Sequence, residues 1–211
     1  MPQLIQLSDG RTIPYNPRLE SGLYRADEIP PEVVWGIIKA AKHLAFKAAR
    51  DTYPDANLIT RCMQAGDLER TNKYNEWLTD TTGSSANTWE DHLIDSETIA
   101  DGVFVAIYGL RMMQLEITDS IPVSAVRFVV GGSEVARWDI TKAYAPSADG
   151  VTLANYTAPG FPAPLCVTDA PIVISEGITL EIDQWVATAS TTFVMALEGV
   201  VVEKEGITLK P

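Results

Sequence analysis

Ile178-Thr179-Leu180-Glu181-Ile182-Asp183-Gln184-Trp185 alternates apolar and polar residues, and after a turn at Thr188-Ala189-Ser190 comes Phe193-Val194-Met195-Ala196-Leu197, with no polar residue at all. A period of two is the period of a strand, because successive side chains point to opposite faces. In the first stretch Ile178, Leu180 and Ile182 share one face, with Thr179, Glu181, Asp183 and Trp185 on the other. The second stretch is apolar on both faces: Phe193, Met195 and Leu197 alternate with Val194, Ala196 and Val200. Such a strand lies in the centre of a sheet, or packs its outer face on something else.

The same texture extends back to Asp101. Val103–Tyr108 reads as a strand that Met113–Ile117 continues beyond Gly109. Ser124–Val130 and Glu134–Ile140 flank Gly131-Gly132-Ser133, a hairpin signal because glycine supplies the positive φ of a tight turn. Weaker strands fall at Val151–Thr157 and Leu165–Val167, joined irregularly through Pro159, Pro162 and Pro164, and Ile172–Ile174 completes the set. About eight short strands in roughly 100 residues is the density of a sandwich or jelly roll. No helix-length pattern separates them, which argues against parallel βαβ units. The expected fold is mainly β, with residues 101–211 as an antiparallel β-sandwich or jelly roll.

Upstream, residues 31–100 read as a helical segment. Val33, Val34, Ile37, Ile38, Ala41, Leu44, Ala45 and Ala48 follow the spacing of one apolar helix face. Pro31 suits the first turn, and the order of acids before Lys39, Lys42, Lys47 and Arg50 complements the helix dipole. Tyr53-Pro54 ends that helix. A second helix is expected from about Asp55 to Asp80, with a break at Gly66, and a short third one over Trp89–Ile94. Residues 1–30 read as an extended arm. Leu4–Leu7 and Arg11–Ile13 flank Ser8-Asp9-Gly10, a second hairpin signal, and Pro14, Pro17, Pro30 and Pro31 favour extended backbone. The arm is too short and too proline-rich to build a core. Its apolar residues lie on their own subunit or on a neighbour, which makes Leu4, Ile5, Leu7, Tyr15 and Tyr24 candidate assembly contacts, with Trp35 off the helix stripe as a sixth.

The 211 residues carry 16 Lys and Arg against 28 Asp and Glu, a net charge of −12, and both halves are acidic. Duplex nucleic acid is a poor partner for such a chain, because its affinity comes from clustered cations. No apolar run reaches the roughly 20 residues that cross a bilayer, and no signal peptide is visible, so a soluble protein without a membrane role is expected. Catalytic signals are sparse. His43 sits among helix lysines, and His92 follows Trp89-Glu90-Asp91 without a second histidine at ligand spacing. Cys62 and Cys166 both read as core thiols, and no G-x-S-x-G or phosphate-binding glycine loop is present. Glu181 with Asp183, or Glu203 with Glu205, would suit a calcium ion or paired-carboxylate catalysis, but alternating acids opposite an apolar face are first of all what a solvated strand looks like. No cofactor is expected. Trp185, and after it Trp138, are candidate platforms for stacking a sugar.

Taken together, Pro2–Pro31 as arm, Pro31–Arg50 as helix and Asp101–Lys204 as β domain resemble the virion structural proteins of tailed phages and other icosahedral viruses. The likeness is nearest to capsid decoration or cement proteins, and Pro171–Ile182 and Thr192–Val202 resemble the paired final strands of virion jelly rolls. It is a likeness of layout without a diagnostic motif. It implies a non-enzymatic protein made in the host cytoplasm and located in the virion. Its partners would be further copies of itself, as a trimer, and other virion proteins. Major capsid, tail or connector roles remain open beside it. A carbohydrate-binding β-sandwich and a hydrolase built around His92 are the rival readings.

Overall fold

The hairpin expected around Gly131-Gly132 forms as read: Val123–Val130 pairs antiparallel with Ser133–Asp139, and both glycines take positive φ, 58° and 78°. Two successive residues at positive φ make the tight turn whose twist matches that of the flanking strands. A computed structural model describes residues 3–6, 12–15, 22–63, 67–68, 78–114, 121–143 and 165–206. Leu7, Trp77, the Ser8–Gly10 turn and the expected Val151–Thr157 strand lie outside the described residues. In chain order the elements are β1 (Gln3–Gln6), β2 (Thr12–Tyr15), β3 (Leu23–Arg25), α1 (Pro31–Thr52), β4 (Leu58–Cys62), β5 (Leu78–Thr81) and β6 (Thr88–Thr98). There follow β7 (Val103–Gln114), β8 (Val123–Val130), β9 (Ser133–Asp139), β10 (Cys166–Ile174), β11 (Thr179–Val186) and β12 (Thr192–Lys204).

Two antiparallel sheets result. The larger runs β3-β10-β7-β12-β4, with β5 sharing the β12 edge beside β4; the smaller runs β6-β11-β8-β9. Counted from β5, the order 5-12-7-10 faces 6-11-8-9, which is first-eighth-third-sixth against second-seventh-fourth-fifth. Those are the two interlocked Greek keys of an eight-stranded jelly roll. The expected mainly-β class with an antiparallel sandwich is therefore what the chain adopts, with a helix laid on one side.

The space between the sheets is filled. Phe128, Trp138, Phe193, Leu110, Met112 and Ile182 belong to one buried cluster, and the Phe128 and Trp138 rings lie 4.4 Å apart. A second cluster lies on the far side of the larger sheet. There Ile37, Ala41, Ala45 and Ala49 of α1 pack on Phe104, Ala106, Val200 and Val202. Alanines at i, i+4 spacing let the helix axis approach the sheet closely. This explains why β12 is apolar on both faces: it is central, and its outer face carries α1.

Where the two expected helices fall on described residues, strands stand instead, β5 (Leu78–Thr81) among them, while 64–66 and 69–77 lie outside the described residues. Leu58–Cys62 is β4, paired with Val200–Lys204, and Trp89–Ile94 falls inside β6. The spacing of Leu58, Ile59 and Cys62 fits either period over so short a run, and the free edge of β12 decides for strand. In β6, two register shifts against β11, one between Leu180 and Ile182 and one between Ile182 and Gln184, break the alternation that would have betrayed it. The arm is also shorter than 1–30. Leu23 and Tyr24 are buried in β3, which pairs with Cys166–Thr168, and Ile29 joins the helix cluster.

Candidate functional site

Three surfaces remain once the core is accounted for. The first is the outer face of the smaller sheet. Register places Trp89 of β6 opposite Trp185 of β11, and Asp183 of β11 opposite Arg127 of β8, which in turn faces Arg137 of β9. The side chains lie across the strands. The two tryptophan rings meet edge to face at 5.5 Å, and the guanidinium carbons of Arg127 and Arg137 sit 4.7 and 5.3 Å from the centre of the Trp89 ring. Arg127 donates to Asp183, a carboxylate only 3% exposed, and Arg137 donates to both oxygens of Glu134. Asp183 is thus a buried partner in an ion pair, unlike the solvated acid its alternation with Glu181 predicts. The cations are spoken for, and the Trp89 face is covered.

The second surface is the outward side of α1. Trp35 is 61% exposed, and Leu44, expected on the buried stripe, is exposed too; Lys39, Lys42, His43 and Lys47 lie around them. The buried line is Ile37-Ala41-Ala45-Ala49: three of the four belong to the expected stripe, and Ala49 rather than Leu44 or Ala48 completes it. At its C-terminal end the helix is stapled down. Tyr53 donates to Glu176, which also accepts from the Gly102 amide, and the Lys204 ammonium lies 4.8 Å from the centre of the Tyr53 ring. The hydrogen bond to Glu176 holds the Tyr53 hydroxyl above its ordinary pKa.

The third is the side opening of the sandwich, between β9 and β10. A cleft of about 400 Å³ is lined there by Gly22, Val135, Arg137, Trp138, Thr168 and Pro171 among others. It exposes polar and apolar atoms in about equal measure, and its walls come from β9 and β10. Here β10 departs from β7: Val167 pairs with Gly109 and Ile172 with Ile107, so Thr168–Pro171 bulge outward. The Ala170 amide donates to the Thr168 hydroxyl within that bulge.

The sequence-derived candidates scatter. Leu4, Ile5 and Tyr15 lie in the β1–β2 hairpin, where Ile5 pairs with Ile13 and Gln3 with Tyr15. Tyr24, a candidate contact with a neighbour, is 3% exposed and donates to Asp169 of its own subunit, which removes it from any interface. Trp138, a candidate sugar platform, is packed against Phe128 in the core and has no free face to offer. Trp185 is half-buried beside Trp89. Cys62 is exposed on β4 rather than buried; Cys166 is buried, and burial pushes its thiol up to about 12. Both are free thiols. His43 is exposed on α1; the backbone of His92 lies in β6 and its side chain is outside the described residues. Among the described residues, no three His, Cys, Asp or Glu side chains gather in a way that could hold a metal ion, and no helix is long and apolar enough to cross a membrane. The Trp89–Arg127–Arg137 cluster was missed by sequence reading, since its members come from three strands and only the register unites them.

No protein-family description, curated protein or solved structure matches the chain.

Proposed function

We propose that this chain is a non-enzymatic structural protein of a virion, of the decoration or cement type, that holds neighbouring subunits together through its N-terminal arm. The observation that supports this reading is the β1–β2 hairpin. It belongs to neither sheet of the sandwich, and its only strand pairing among the described residues is within itself. A two-stranded ribbon is marginal in water and needs a third strand or an apolar surface to persist. A neighbouring subunit supplies one. The exposed Trp35 on α1 adds a second apolar contact of the kind that interfaces bury. Jelly rolls also serve lectins and cupins, so the fold by itself does not choose. The packing of Phe128, Trp138 and Phe193 between the sheets favours a scaffold over a vessel for a small ligand.

The partners on this reading are further copies of the chain, a trimer by resemblance, and other proteins of the particle. Removal of residues 1–21, which spares β3, tests it. The full chain is expected to run as an oligomer by light scattering. The truncated chain should run as a monomer with an unchanged β-rich circular dichroism spectrum. An unchanged mass after truncation would sink the proposal. A sugar-binding role draws on Trp185 beside Trp89, but Arg127 and Arg137 occupy the ring face on which a pyranose would stack, and it ranks second.

A further inference from the structure

Resting on that reading, we infer that the receptor for the hairpin is the side cleft of a second copy, where β1–β2 adds to the free edge of β9. Strand β9 ends the smaller sheet, and no described strand pairs with its outer side. The facing wall is open as well. Strand β3 stops at Leu23, opposite Thr168, and among the described residues nothing continues along that side of β10 over Ala170–Ile174. Among the described residues, then, two sheet edges border one cleft, lined by apolar Val135, Trp138 and Ile172 together with polar Arg137 and Thr168.

Such edges are templates for further strands, and proteins protect them with lysine, proline, bulges or a covering segment. β9 (Ser-Glu-Val-Ala-Arg-Trp-Asp) carries neither lysine nor proline. Its one bulge, at the register shift opposite Phe128 and Val129, turns Val135 outward at 53% exposure. That bulge leaves Ala136–Asp139 as the regular part of the edge, four residues long, which is the length of β1 and of β2. Addition of a strand supplies main-chain hydrogen bonds, and Val135, Pro171 and Ile172 along the cleft supply apolar contacts for alternate side chains. Among the described residues the ribbon has no third strand and the β9 edge no cover, and one contact answers both.

The chain also leads there. Gly22, where the arm joins the body, takes a φ of 81° and lines the cleft itself. Residues 16–21 join it to Tyr15 and span at most about 25 Å when extended. A hairpin on so short a tether reaches either its own cleft or that of an adjacent copy, the geometry from which exchanged arms arise. Exchange between copies is the version inferred, because it gives the arm its assembling role.

The experiment uses the full chain with Cys62→Ser throughout, which removes the exposed thiol. Copies bearing Ile5→Cys are mixed with copies bearing Val135→Cys and treated with a short bismaleimide. A cross-linked heterodimer is expected. In parallel, Val135→Lys places a charge on an exposed edge position; association should weaken about tenfold or more while the fold is kept. A cross-link that forms only within a chain carrying both cysteines would overturn the inference, since the hairpin would then close its own cleft. No mixed cross-link and unweakened association of Val135→Lys would also overturn it; if truncation at residue 21 still dissociates the oligomer, the assembly reading survives alone. If truncation changes nothing, both fall.

Discussion

The two sheets of this sandwich share a core and differ in what covers their other faces. The larger is buried on both sides, by the smaller sheet and by α1, and its central strand β12 is apolar almost throughout. The smaller packs one side on the core, and β11 alternates in sequence; among the described residues its outer side is held by ion pairs and stacked guanidinium groups instead of a helix. The difference teaches that one domain can stabilise a sheet face in two ways. Apolar burial contributes in proportion to area, whereas the polar face depends on keeping each charge paired.

Substitutions can separate those contributions. The largest effect is expected where the two sheets meet. Phe128→Ala removes a ring packed on Trp138 and should cost about 3–5 kcal/mol, measured by chemical denaturation. A cost under about 1 kcal/mol would mean that the inter-sheet layer is not the main core. Next comes the helix side. Ala45→Leu overfills the close approach of α1 to the larger sheet and should cost about 1–3 kcal/mol, with faster proteolysis near α1. Equal costs for Ala45→Leu and Ala40→Leu, the latter on the exposed side, would break the claim that α1 is seated by its alanine line. The smallest effect belongs to the bare face. Arg127→Ala leaves the Asp183 carboxylate without its partner and should cost about 1–2 kcal/mol after allowance for the partly exposed guanidinium. Combined with Asp183→Asn, much of that loss should return; a strictly additive double variant would show that the pair is not coupled.

What the sequence revealed follows the same division. β8, β9 and β11 were legible from alternation and hairpin glycines, β12 from its continuous apolar run, and α1 from its 3.6-residue stripe, because burial on one face writes a period and burial on both writes a run. β4 and β6 were not. β4 is a half-exposed edge strand of five residues, and β6 (Thr-Trp-Glu-Asp-His-Leu-Ile-Asp-Ser-Glu-Thr) is rich in acids and interrupted by bulges. Edge position and bulges both relax the demand for alternation. The candidate surfaces fared worse. Trp35 was visible as an aromatic residue off the apolar stripe, but Tyr24 and Trp138 look the same in sequence whether they face a neighbour or a core. The side cleft is lined from Gly22, β9 and β10 and leaves no local signature at all.

The three-residue strand β3 has a mechanical meaning. Anything that grips the hairpin pulls on β3 through Gly22, and β3 is laid antiparallel to Cys166–Thr168. Bonds loaded along a strand axis share the force and fail together, whereas bonds peeled from one end fail singly. The Tyr24 hydroxyl on Asp169 and the Arg25–Asp27 pair lie beside that short ladder, and the Ala26 amide bonds the Leu165 carbonyl at its far end. From there the load enters β10, a strand inside the larger sheet. On the proposed assembly, a pull running along the β3 axis would load the ladder in shear and spare the domain from unravelling at its N-terminal side.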